Sequence, residues 1–327
     1  MDIIKELGIS KTVYSLCYPE TENLLKKVWE NSNELGLHGM YDNTWTKKQD
    51  EYHHTFAESF KTWSKPNLSV QWSDFPVFYP TNGASEAIRE QIAYLKTKGD
   101  KPIFVFEGEY EGYEAIAYAM QMNVIKIDRN NYQDHKQDFE KGGYFFISQP
   151  SSIDGSVWSE YDNFMKFMSN YNVDVYIDTV YIGCISKPFI IDTNYENIKG
   201  LFFSLSKAFG VYYHRIGGVF LKETNPLLFG NMWFKNVFSM YFGERLMSNG
   251  HPNFFAKNYA AQKQNAIEII ENKLKVKVDD ADALLIVNIN KTDDDFVKSL
   301  IRNQKADKVR ICITPTLEKI IRGYNEE

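Results

Sequence analysis

Lys207 lies in the stretch Ser204-Leu205-Ser206-Lys207-Ala208-Phe209-Gly210, between the apolar runs Gly200 to Phe203 and Ile216 to Leu221. A lysine held in apolar surroundings beside a second cation loses part of its preference for the charged form, and the free amine is a nucleophile toward carbonyls. A surface lysine in a loop between two strands fits the same heptapeptide, so the rest of the chain has to decide. Upstream, Asn172 to Tyr181 reads as a buried strand that ends on Asp178, with Tyr181 three residues further on. Open α/β sheets bind their ligands at the carboxyl ends of strands. An aspartate there can pair with a protonated pyridine nitrogen and keep the ring an electron sink, and Tyr181 can reach a phenolic oxygen on such a ring.

The elements that must position these groups are short apolar runs alternating with helical stretches from Phe75 to Leu221. This is the pattern of a mostly parallel sheet covered on both faces. Phe75 to Tyr79 leads into Pro80-Thr81-Asn82-Gly83-Ala84-Ser85-Glu86-Ala87-Ile88, and Ile88, Ile92 and Leu95 continue a helical stripe toward Gly99. A glycine and small residues at a helix start leave N–H groups free to face an anion, with the Ser85 hydroxyl beside them; an ordinary serine cap reads the same way. Ile103 to Phe106 is the next strand, and Glu107, Glu109 and Glu111 around Tyr110 read as a solvated loop. Gly143 to Ser148 is a strand opening into Gln149-Pro150-Ser151-Ser152-Ile153-Asp154-Gly155, and Leu201 to Ser204 is the strand before Lys207. Beyond Pro226 the pattern changes to an aromatic-rich stretch, a long helix and two strands that suit a smaller α/β unit. Within the last of these, Val309-Arg310-Ile311-Cys312-Ile313, a buried Arg310 needs an anionic partner, whereas on an edge strand it points to water. At the start of the chain, Glu22 to Leu35 and Asp50 to Trp63 carry helical spacing.

Taken in order, Gly83 and Ser85, Tyr110, Asp178 and Tyr181, Ser204 and Lys207, Arg215 and Arg310 resemble the class I/II aminotransferase family of fold-type I pyridoxal-phosphate enzymes, over roughly residues 75–320. The resemblance implies an α/β fold of the PLP-dependent transferase type: a three-layer α/β/α large domain with a mostly parallel sheet, plus a smaller α/β C-terminal domain. The corresponding division is an N-terminal arm and helix (1–40), a large cofactor-binding domain (41–228) and a small domain (229–327). Pyridoxal 5'-phosphate is the implied cofactor, in Schiff-base linkage to Lys207. Gly83, Ala84, Ser85, Ser204 and Arg215 then meet its phosphate, Tyr110 stacks on its ring, Asp178 meets the ring nitrogen and Tyr181 the phenolic oxygen. Arg310 clamps the α-carboxylate of the substrate. Tyr41, with Tyr52 behind it, is the nominee for the tyrosine that this family offers to the phosphate of a neighbouring subunit, which implies a homodimer with a shared active site. One departure stands out: the family has an Asn-Pro pair, a second asparagine and Pro-Thr-Gly. Pro150 and Gly155 align, but the second asparagine, normally a donor to the phenolic oxygen, falls on Ser152. A serine offers one donor where an amide offers two, so Ser152 reaches through water or the cofactor is tuned differently.

At 327 residues the chain suits one large and one smaller domain, and a net charge of −6 with a pI near 5.7 leaves no footprint for nucleic acid or an anionic membrane. Cys17, Cys184 and Cys312 are far apart and odd in number, which argues against a disulfide framework or a zinc cluster and for a reducing compartment. The first residues lack the basic start and apolar run of a signal peptide, and no stretch reaches membrane-spanning length, so the expected setting is cytoplasmic. No G-x-G-x-x-G, Walker, G-x-S-x-G or H-E-x-x-H signature is present, which lowers redox, nucleotide-hydrolysing and metal-hydrolase readings. The expected activity is transfer of the amino group of an α-amino acid to a keto acid. The alternatives are a PLP-dependent decarboxylase, lyase or cyclase of a specialised pathway, and a non-catalytic PLP-binding relative.

Overall fold

Strand residues alternate between two faces, and here both faces are apolar, so the central strands read as unbroken hydrophobic runs such as Ile103-Phe104-Val105-Phe106. The structure, a computed structural model, describes residues 6–30, 50–233, 235–293, 295–301 and 308–323. Helices α1 (Pro19–Glu30) and α2 (Asp50–Ser64) come first, followed by the short strand β1 (Leu68–Ser69). The expected alternation then runs as β2 (Val77–Thr81), α3 (Ala84–Thr97), β3 (Ile103–Phe106), α4 (Glu111–Ala119), β4 (Val124–Ile127), β5 (Gly143–Ser148), α5 (Tyr161–Met168) and β6 (Val173–Asp178). After the short β7 (Ile191–Asp192) come β8 (Ile198–Ser204), the single-turn α6 (Leu205–Ala208) and β9 (Gly217–Leu221). Helices α7 (Val237–Asn249) and α8 (Ala260–Leu274) lead to β10 (Val278–Asp280), β11 (Ile286–Asn290), β12 (Lys308–Cys312) and α9 (Thr314–Arg322).

Seven strands join in the order β2-β9-β8-β6-β5-β3-β4, parallel apart from β9, which runs antiparallel to both its neighbours. Alternation sends Phe104, Phe145, Phe203 and Phe220 to a core shared with α2 and α5. It sends Val105, Phe146, Phe202 and Val219 to a second core shared with α3 and α4. The aromatic face predicted on α2 supplies part of the first core: Phe60 stacks on Phe203 with ring centroids 3.8 Å apart. Each such side chain contributes about 1.5–3 kcal/mol by leaving water. This is the expected α/β/α arrangement with a mostly parallel sheet. The antiparallel sheet β10-β11-β12 forms separately, over a third core that includes Ile9, Ile267, Ile270, Val287 and Ile311. The N-terminal stretch is tied to its edge, with Ser10 and Cys312 exchanging backbone hydrogen bonds of 2.9 and 2.8 Å.

Two features of this topology position the site. Because the strands are parallel, the carboxyl ends of β3, β5, β6 and β8 open along one edge. The chain also reverses its direction of travel across the sheet between β3 and β5, leaving a crevice there. Among the described residues, no helix is long and apolar enough to cross a membrane, and no group of three or more His, Cys, Asp or Glu is placed to hold a metal ion.

Candidate active site

Lys207 reaches the carboxyl edge of the sheet because β8 stops at Ser204. The Ser204 hydroxyl accepts the Ser206 N–H at 3.2 Å and caps the single turn of α6 that carries the lysine. Gly210 then turns the chain at φ +71°, so close to the N-terminal stretch that a Cβ there would stand 1.9 Å from the Leu16 carbonyl oxygen. Lys207, Asp178, Tyr181, Ser152 and Tyr110 line one cavity of about 310 Å³, within the range of small-ligand sites. Ala84, Ser85, Ser204, Arg215 and Arg310 line the same cavity. Gly83 stands directly behind it, and Tyr41 lies outside the described residues.

The electrostatics of the two central groups differ from those of solvated side chains. Burial pushes the Lys207 amine down to about 8. Arg310 and Arg215 act in the same direction, and the Cys312 and Cys184 thiols oppose them. The second-cation effect expected at this lysine is therefore present, although desolvation is the larger cause. Its Nζ donates to the carbonyl of Val13. Burial likewise pushes the Asp178 carboxyl up to about 7, with the Glu109 charge adding to the shift. The Val180 N–H at 3.1 Å and the Tyr113 hydroxyl at 3.4 Å work against it. A cationic N–H brought against Asp178 restores its charge, and a protonated ring nitrogen is such a group.

At the start of α3, Gly83 has φ +76° and makes no side-chain cap bond, so the first N–H groups of the helix stay open. A Cβ on Gly83 would stand 2.9 Å from Arg215 Nη2 and 3.4 Å from Ser204 Oγ. Only a residue without a side chain lets the guanidinium, the hydroxyl and the helix terminus converge. Arg215 is held there by donating from Nη2 to the Asn82 carbonyl at 2.9 Å. Such a cradle fits a phosphate, through a forked guanidinium and oriented N–H groups. Tyr110 stands over it with its hydroxyl 3.4 Å from that of Ser85.

Arg310 comes from the other sheet. On β12, opposite Asn288, it is buried and turned into the cavity, not out to water. Nη1 donates to the carbonyl of Ser152, and Nη2 to that of Lys11 at 3.1 Å. The loop of glutamates read as solvated is split by the fold. Glu111 is exposed and Glu107 half-buried, but Glu109 is buried at the β3–β5 crevice. It is tolerated there because it accepts from the Ser148 N–H at 3.1 Å and from the hydroxyls of Ser148 and Ser152 at 2.6 and 2.7 Å. The sequence reading missed this residue, the Tyr113 hydroxyl on Asp178 and the 11–13 segment across the cavity. It also passed over Ser206, whose Oγ accepts from Ser204 Oγ at 2.9 Å. The Ser-x-Ser spacing before Lys207 was the available signal for Ser206. An irregular polar stretch such as 11–13 carries none.

The sequence profile of the family described as aminotransferase class I and II matches residues 12–240. No curated protein matches the chain in sequence. Among solved structures, a PLP-bound protein of Clostridium difficile 630 superposes with a TM-score of 0.71 at 18% identity, covering 95% of this chain and 89% of that one. The PLP-bound C-S lyase from Staphylococcus hominis gives 0.70 at 16% identity, covering 96% and 90%. The histidinol-phosphate aminotransferase from Clostridium acetobutylicum gives 0.65 at 16%, covering 95% and 98%. At these identities the superpositions establish the fold, and the profile establishes the family. The chain belongs to the class I and II aminotransferase family, and pyridoxal phosphate is its cofactor.

Proposed function

We propose that the protein is an aminotransferase that moves the amino group of an α-amino acid to a keto acid. One observation carries this reading. An amine lowered to about 8 on Lys207 and a buried carboxyl raised to about 7 on Asp178 line a single cavity with two arginines, Arg215 and Arg310. When bound, pyridoxal phosphate supplies an aldehyde that condenses with amines and a ring that takes up the electron pair released at the substrate Cα. In the same reading Lys207 Nζ holds that aldehyde between turnovers. With the substrate amine in its place, Lys207 would take the proton from Cα and deliver it to the cofactor carbon that receives the amino group, a task suited to an amine with a pKa near neutrality. Asp178 would keep the proton on the ring nitrogen, Tyr181 would meet the phenolic oxygen, and Tyr110 would cover the ring.

Gly83, Ala84, Ser85, Ser204 and Arg215 receive the phosphate, and Arg310 orients the substrate by its α-carboxylate. The division into an arm (1–40), a cofactor-binding part (41–228) and a smaller part (229–327) belongs to this proposal. So does a homodimer to which Tyr41 contributes. A reducing, cytoplasmic setting belongs to the same proposal.

A second reading on the same cofactor is a lyase, decarboxylase or cyclase. It is favoured by the serine at position 152 and by the likeness to a C-S lyase. Product analysis separates the two. With a panel of α-amino acids and one keto acid, the aminotransferase yields a new keto acid and leaves the cofactor aminated when the acceptor is withheld. Return of the cofactor as aldehyde after a single turnover establishes the second reading. If no amino acid alters the spectrum of the loaded protein, both are wrong.

A further inference from the structure

The buried carboxylate of Glu109 has no place in the roles above. Its donors include the N–H of Ser148 at 3.1 Å and of Tyr110 at 3.3 Å, and the hydroxyls of Ser148 and Ser152 at 2.6 and 2.7 Å. Ser148 Oγ already accepts the N–H of Ser152 at 2.7 Å, so its own proton is directed at Glu109. Burial pushes the Glu109 carboxyl above its ordinary value and these hydrogen bonds work against that shift; as a carboxylate it is acceptor-only and accepts a hydrogen bond from every one of these groups. The hydroxyl of Ser152 carries one proton, and that proton is also committed to Glu109. The Ser152 carbonyl is taken by Arg310. Yet Ser152 lines the cavity together with Tyr181, Asp178 and Lys207, where its hydroxyl is the side-chain donor expected for the phenolic oxygen of the cofactor.

We propose that Glu109 is a positioning residue that turns the Ser152 hydroxyl away from the bound cofactor, leaving the phenolic oxygen to Tyr181. The inference rests on the proposed pose of the cofactor in this cavity. Its consequence is spectroscopic. The phenolic oxygen shares a proton with the nitrogen that joins the cofactor to Lys207, and each donor on that oxygen makes it less basic, so the proton leaves at lower pH. A site with one donor fewer holds the proton to higher pH.

The test is a pH titration of the visible absorption band of the cofactor-loaded protein, in the wild type and in S152A, S152N, E109A and E109A/S152A. A visible band that disappears in K207A establishes the pose; without it the proposed function fails before the inference is reached. Given the band, S152A is expected to leave the midpoint within about 0.3 pH units of wild type. S152N, which adds an amide donor, is expected to lower it by about one unit, tenfold in the dissociation constant. A rise of about one unit in S152A shows that Ser152 does donate to the cofactor, and overturns the proposal.

The Glu109 variants test the cause. Losing its charge lowers the midpoint with or without the serine, so the comparison is between E109A and the double variant. The freed hydroxyl should hold E109A about half a unit or more below E109A/S152A, and equal midpoints overturn the assignment to Glu109. Asp178, Tyr181, Cys184, Cys312, Arg215 and Arg310 also face this centre and are unchanged in every variant. Where E109A does not fold, E109Q and E109Q/S152A make the same comparison, and a rise in S152A alone still overturns the proposal.

Discussion

Burial makes a charge on Lys207 costly, and the consequence is a reactive amine at mild pH. Cofactor-free protein is expected to take up pyridoxal phosphate faster as pH rises from about 6.5 to 9, with a midpoint near the lowered value of about 8. A midpoint near 10.5, the ordinary lysine value, would show that the amine is solvated. K207A should lose both the visible band and turnover. For Asp178 the sign is opposite in its effect on stability. Its folded-state carboxyl titrates near 7 against an ordinary 3.8, so between these values the folded state binds more protons than the unfolded one. Stability of the cofactor-free protein therefore falls as pH rises through that window. D178N removes the buried charge. Cofactor-free D178N should melt several degrees higher than wild type at pH 8 and close to it at pH 4, while turnover of the loaded enzyme drops about 10²-fold or more. A melting temperature unchanged at pH 8 would place Asp178 in a wetter site than the fold shows.

In the proposed function, the start of α3 is where local conformation and cofactor binding meet. G83A forces a side chain into φ +76° and pushes a methyl to 2.9 Å from the Arg215 guanidinium. Losing one charge-assisted contact of ~1.5–3 kcal/mol should weaken cofactor binding about tenfold to a hundredfold, measured by titrating pyridoxal phosphate into the cofactor-free variant. An affinity unchanged in G83A would mean that the phosphate sits elsewhere. Elements of this kind were legible from the chain alone. The α3 stripe, the all-apolar β3, the largely apolar β5 and the strand ending on Asp178 follow from periodicity and from a glycine or acidic residue at the boundary. The loop after β3 was not. Three glutamates around a tyrosine look alike in one dimension, and only the Ser148 hydroxyl and N–H at the end of β5 and the Ser152 hydroxyl in the loop after it make one of them buriable.

At the scale of the whole molecule, the cavity is assembled from two sheets and an N-terminal strap. The central sheet supplies Lys207 and Asp178, the small antiparallel sheet supplies Arg310, and the carbonyls of Lys11 and Val13 meet the two cations from across the cavity. In the proposed function, substrate binding and cofactor binding are therefore separable. R310K keeps the charge but loses the planar fork, and should raise the KM for the amino acid about tenfold or more while leaving the visible spectrum of the loaded enzyme unchanged. A spectrum altered as much as KM would mean that Arg310 serves the cofactor. The alternation of strands and helices along the chain, the apolar setting of Lys207, the strand ending on Asp178 and the apolar strand around Arg310 could be read from the sequence, because strand pattern and the cost of isolated charges act locally. What needed the fold was where each group's hydrogen bonds go. Arg310 turning inward and Ser152 giving its proton to Glu109 are decided by atoms far apart in sequence, and a hydroxyl proton spent on one short, straight hydrogen bond has little left for a second acceptor.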